Sequence, residues 1–91
     1  MKKEELMAWS YILEFVMERA EFITLERTTL PPEPERWAIR DGSRCLSKLK
    51  HEFCYEPSPS ERKDKHFKEF RFNSVQEAID YWTEHGKEIE R

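Results

Sequence analysis

Phe70-Arg71-Phe72-Asn73-Ser74-Val75-Gln76-Glu77-Ala78-Ile79 reads as a short strand feeding straight into a helix. Two phenylalanines at period two put both rings on one face of a pleated strand, with Glu69 and Arg71 on the other. Ser74 then stands where an N-cap belongs. Its hydroxyl accepts from the amide of Glu77, whose carboxylate reaches back, so Ser-Val-Gln-Glu has the form of a capping box. Val75, Ala78, Ile79 and Trp82 follow at helical spacing and need burial, for which the face carrying Phe70 and Phe72 is the nearest apolar surface. Gly86 is expected to close this helix as a left-handed C′ residue.

Upstream, no Gly or Pro interrupts residues 3–22, and the apolar residues keep step with a helix. Leu6, Trp9, Leu13, Val16, Ala20 and Ile23 form one stripe, and Met7, Tyr11, Phe15 and Phe22 form a second beside it. An apolar arc this wide exceeds what one face of a small sheet covers. Either the two long helices share a sheet face and cover each other, or the second stripe meets a partner. The aromatic and thioether side chains of Met7, Tyr11, Phe15 and Phe22 are types that interfaces favour, so these four are the candidate partner-binding residues, most simply against a second copy across a two-fold axis.

Residues 24–35 contain three prolines and read as an extended connector. Trp37-Ala38-Ile39-Arg40 alternates, Asp41-Gly42 supplies a two-residue hairpin turn, and Arg44-Cys45-Leu46-Ser47 pairs back. A looser turn over 48–51 leads to a third strand over 52–56, with Phe53 and Tyr55 on one face. Ser58 as N-cap, Pro59 at the first helical position and Glu61 at the third predict a short helix or turn from Pro59 to about His66.

With 91 residues the chain is expected to form one domain, divided into a helix (1–23), a connector (24–35), an antiparallel meander (36–72) and a helix (74–86). Aromatic content of 13% and only two glycines argue for an ordered core despite 38% charged residues, because each large ring buries roughly 150–250 Å². The net charge of −3 hides a segregation: residues 1–35 carry −4, residues 36–72 carry +4 and residues 73–91 carry −3. No apolar run approaches a membrane span and no signal-peptide h-region follows Met-Lys-Lys-Glu-Glu, so a cytoplasmic protein that does not engage a membrane is expected.

Cys45, His51, Cys54 and His66 are metal-ligand types, but the eight residues between the cysteines do not match a zinc knuckle. Nor need strand positions nine apart across a loose turn face each other, so two reduced cysteines are expected and no metal or cofactor. Ser58 and Ser60 are accounted for by capping, His85 by a helix C-terminus, and both glycines by turns or caps, so no catalytic residue is assigned and no enzyme is expected.

The rival is single-stranded nucleic-acid binding by the basic third. There Lys48, Lys50, Arg62, Lys63 and Lys65 would track phosphates, and interleaved rings such as Trp37, Phe53, Phe70 and Phe72 would stack on bases. The acidic ends oppose it, since they repel a polyanion. Nucleic acid is therefore the lesser expectation.

The order Trp37, Cys45-Leu46, Tyr55-Glu56-Pro57-Ser58-Pro59-Ser60 followed by Arg62, then Phe67, Arg71-Phe72 and Glu77-Ala78-Ile79 resembles small uncharacterised proteins of bacteria and their phages. The resemblance covers about residues 37–82. It implies a cytoplasmic bacterial or phage origin and a compact α+β domain, and it carries no activity to any residue. Arg62 either pairs with Glu56 or is an exposed recognition residue.

The expected fold is α+β: an N-terminal helix, a three- or four-stranded antiparallel sheet with a short inserted helix, and a C-terminal helix. Both long helices should lie on the sheet face of Trp37, Ile39, Phe53, Tyr55, Phe70 and Phe72. The expected function is that of a small non-enzymatic protein-binding or regulatory module whose partner is another protein or a second copy.

Overall fold

A computed structural model describes residues 10–16 and 21–89. Among them the first element is a strand, not a helix: Ser10–Val16 (β1) and Glu21–Arg27 (β2) pair antiparallel. Ser-Tyr-Ile-Leu-Glu-Phe-Val is rich in aromatic and branched side chains, which suit a pleated surface. Spacings of three and four in so apolar a run also fit alternation, as in Tyr11 and Leu13 or Ile23 and Leu25. A helix would have left one stripe uncovered, whereas a hairpin divides these residues between two faces.

Trp37–Asp41 (β3), Arg44–Ser47 (β4) and Glu52–Cys54 (β5) complete a five-stranded antiparallel meander in the order β1-β2-β3-β4-β5. A two-residue turn joins β3 to β4, but one residue later than expected: Asp41 pairs with Arg44, so the loop residues are Gly42, at φ 61, and Ser43. The proline-rich loop is shorter than expected, because residues 24–27 belong to β2. Thr29 fastens it by donating its hydroxyl to Pro34 O at 2.7 Å, and Thr28 N–H donates to Arg36 O at 2.8 Å.

Register assigns the faces, since directly opposed residues share one. Leu25 opposite Ile39, and Leu46 opposite Phe53, define the core face. There Ile23, Leu25, Trp37, Ile39, Leu46, Phe53, Phe72, Ala78 and Ile89 form the main cluster, flanked by Tyr11, Leu13, Val75, Tyr81 and Trp82. Thr24 opposite Arg40, Arg40 opposite Cys45, and Cys45 opposite Cys54 define the second face. Ala38, Cys45, Phe70 and Cys54 form a smaller cluster there.

The expectation that two long helices share one sheet face fails because the first of them is replaced by the β1–β2 hairpin; the inserted helix and the C-terminal helix lie on opposite faces. Asp64–Phe70 (α1) covers the second face through Phe70, and Val75–His85 (α2) covers the core face through Ala78. The anticipated Phe70–Phe72 strand is also absent. Phe70 ends α1, while Phe72 makes an isolated bridge to Trp37, each amide donating to the other's carbonyl at 2.8 Å. The two rings therefore enter different clusters on either side of the sheet.

The inserted helix begins later than expected: Pro59–Glu61 is one 3-10 turn without a side-chain cap from Ser58, and α1 follows. Tyr55 lies beyond β5 and is 75% exposed, outside the core expected for it. Gly86 is right-handed, φ −56, and starts a 3-10 turn over Gly86–Glu88. A Cβ there would stand 2.9 Å from the Trp82 ring, so contact with the indole rather than a left-handed backbone calls for glycine.

The Ser74 cap forms as expected, with Glu77 N–H donating to Ser74 Oγ at 3.1 Å. Ser74→Ala is expected to lower stability by about 0.5–2 kcal/mol. Urea midpoints of the two proteins measure this, and an unchanged midpoint would mean that the cap contributes nothing.

Candidate functional site

Two features stand out from this frame: a buried ionic hub under α1, and a half of the second sheet face that α1 does not cover. At the centre of the hub is the carboxylate of Glu56, only 2% exposed. Oε1 accepts from Arg40 Nη1 at 2.8 Å, and Oε2 accepts from Arg71 Nη2 at 2.8 Å and from His66 Nε2 at 2.5 Å. Arg62 stands 3.8 Å away and donates Nε–H to Pro57 O at 2.9 Å, which answers for Arg62: it pairs with Glu56. Burial alone would raise the Glu56 carboxyl; Arg71, Arg40 and His66 outweigh it and hold it below its ordinary value. His66 is lowered by burial, with Arg71 and Arg62 adding to that against the pull of Glu56.

These contacts join β3, the segment after β5 and both ends of α1, so the hub clamps α1 to the sheet. Each group is committed. Arg71 also donates Nη1–H to Phe70 O at 3.0 Å and to Cys45 Sγ at 3.5 Å. Burial, and next the Glu56 charge, push the Cys45 thiol up to about 12, so it is no nucleophile near neutral pH. The register places Cys45 directly opposite Cys54, contrary to the expectation that they need not face each other; both are free thiols. Among the described residues no group of three or more His, Cys, Asp or Glu side chains is gathered to hold a metal ion. No helix among them is long and apolar enough to cross a membrane.

The half-face that α1 does not cover belongs to β1 and β2. Ile12, opposite Thr24, is 65% exposed, and Phe22, opposite Phe15, is 43% exposed. Beside them runs a groove of about 460 Å³ lined by Phe22, Thr24, Glu26, Asp41 and Arg44. Its carboxylates are paired, Glu26 with Arg40 at 2.9 Å and Asp41 with Arg44 at 2.8 Å, and Phe22 is the one apolar side chain in its lining. β1 is the terminal strand, seven residues long with one charge and no Lys or Pro, and among the described residues no strand lies on its outer side.

Of the four expected partner-binding residues, Met7 lies outside the described residues. Tyr11 packs on the core face with its ring 5.9 Å from Trp37. Phe22 lies on the opposite face, next to Thr24 in the second-face register, so the structure separates Tyr11 from it; Phe15 is Phe22's partner in the β1–β2 pairing. Ile12 is the residue that sequence reasoning missed, since in a helix it falls in neither stripe; alternation about Tyr11 and Leu13 was the signal for it.

The nucleic-acid candidates are dispersed. Lys50 is exposed in the β4–β5 turn, Lys63 and Lys65 are exposed at the start of α1, and Arg62 is held by the hub. Trp37, Phe53, Phe70 and Phe72 are buried, which leaves no row of exposed rings for bases among the described residues. Lys48 lines one cleft with Arg36 and Lys68, and Arg62 lines a different one, so the candidates are not gathered in a single groove. Comparison of the chain with protein-family models, with curated proteins and with solved structures returns no match.

Proposed function

We propose that this protein is a small non-enzymatic binding module that recognises protein through the outer strand β1 and the adjoining β1–β2 half-face, with a second copy of itself as the partner. The observation that carries the reading is the character of β1. Monomeric sheets protect their edges with short strands, lysines, prolines or a covering element. β1 has seven residues, a single charge and Ile12 standing 65% exposed beside the edge. Such an edge pairs by main-chain hydrogen bonds, while side chains on the flanking face supply specificity. An isologous contact would align β1 antiparallel to its mate, with the bulge between Ile12 and Glu14 near the two-fold axis and the apolar half-faces continuous. The surface is a strand and sheet face, not the helix face expected from the sequence.

Sedimentation velocity on the wild type and on Ile12→Lys tests this. Ile12 is largely exposed, so lysine there leaves the fold intact while placing a charge beside the edge. The expected result is a wild-type dimer and a folded, monomeric variant. A wild type that stays monomeric at about 0.5 mM, far above a micromolar dissociation constant, would overturn self-pairing.

A further inference from the structure

We propose that the cleft between α1 and the turn after β4 is a phosphate-binding site, built by Arg36, Lys48 and Lys68. The cleft measures about 360 Å³, enough for a phosphate monoester and part of what it is attached to, and Phe67, Asn73 and Asp64 complete its walls. The distribution of ion pairs singles it out. Arg40, Arg44, Arg62 and Arg71 each have a carboxylate within 4 Å. Arg36, Lys48 and Lys68, like Lys50, Lys63 and Lys65, have no ion-pair partner among the described residues, but of these six only the first three line this depression. Arg71 also contributes to the wall, but its guanidinium is spent on Glu56, Phe70 O and Cys45.

The cations are held in place. Arg36 lies over the Phe67 ring at 4.0 Å, a stack that fixes the plane of its fork. Lys48 is half-buried, sits 4.8 Å over the Phe72 ring and donates one hydrogen to Arg71 O at 2.6 Å, leaving two ammonium hydrogens for a ligand. Burial lowers its pKa and the charge of Glu77 opposes that only in part. An anion in the cleft would relieve this desolvated ammonium. Lys68 enters from the exposed side of α1, and Asp64 is the one carboxylate on the wall, so three uncommitted cations outnumber it. A dianionic monoester matches that balance better than a singly charged diester.

Isothermal titration of the full chain with inorganic phosphate, ribose 5-phosphate and an oligothymidylate without terminal phosphates tests the proposal and separates the sources of the group. Phosphate and ribose 5-phosphate are expected to bind below about 1 mM. Arg36→Gln and Lys68→Gln, with circular dichroism unchanged, should each weaken both by about tenfold or more, as loss of a charge-assisted bond does. Lys50→Gln and Lys63→Gln remove the same charge outside the cleft and should change little. On phosphate addition the Lys48 side-chain resonances should shift in the wild type. Absence of binding at about 10 mM, equal weakening by all four substitutions, or binding confined to the oligothymidylate would each overturn it.

Discussion

Replacing Glu56 by alanine is expected to cost about 3–5 kcal/mol, because it leaves buried positive charge without its counter-ion. Arg71 is 4% exposed and its Nη2 loses its only carboxylate, while Arg40 keeps Glu26. For a domain of this size the loss corresponds to a melting temperature lower by roughly 12–40 °C. Glu56→Gln, which retains an acceptor but no charge, should fall between the wild type and alanine. The same hub sets the response to acid. The folded Glu56 carboxyl ionises below its ordinary 4.5, so the unfolded chain takes up that proton first and stability is lost as pH falls through and below this value. His66 is also depressed, from an ordinary 6.5, so protonation of the unfolded imidazole begins the decline near pH 6.5. Urea denaturation at pH 7.5, 6 and 4 measures both effects. A Glu56→Ala protein as stable as the wild type, with the same pH profile, would show that the hub does not hold α1.

The second large effect is expected at Phe72, where alanine should cost about 3–5 kcal/mol. Phe72 is 1% exposed, its ring centroid is 5.4 Å from that of Tyr81, and it joins the end of α1 to the start of α2 across β3. The two backbone bonds to Trp37 need no side chain, so the loss is one of packing and leaves a cavity between α2 and the sheet. Calorimetric melting of Phe72→Ala measures it. A cost below about 1 kcal/mol would place Phe72 outside the core.

The elements read correctly from the sequence are those whose determinants are local. Ser74 through His85 has its cap and its period within one segment, although Ile79, expected to be buried, is 38% exposed; the β3–β4 hairpin has a glycine turn between two alternating runs, its loop being Gly42-Ser43 rather than Asp41-Gly42. The β1–β2 hairpin was misread because its apolar residues satisfy helical and strand spacings alike, and only the pairing of Tyr11 with Leu25 and Ile12 with Thr24 decides between them. Phe70 and Phe72 share a strand face only if the backbone between them is extended; the end of α1 intervenes and sends the rings to opposite sides. The pairing of Glu56 with Arg62 could be raised from their closeness in sequence. Arg40 and His66, 16 and 10 residues away, reach Glu56 only through the fold. Likewise the facing of Cys45 and Cys54 depends on a turn register, Ser47 opposite Glu52, that composition does not determine.

The surface formed by β1 is tested most directly by amide hydrogen exchange of that strand as a function of protein concentration. If β1 pairs with its mate, its outward-facing amides should slow by about tenfold or more as concentration rises through the dimerisation range, while amides bonded to β2 change little. Outward amides that exchange rapidly at every concentration would contradict β1 as the interaction strand.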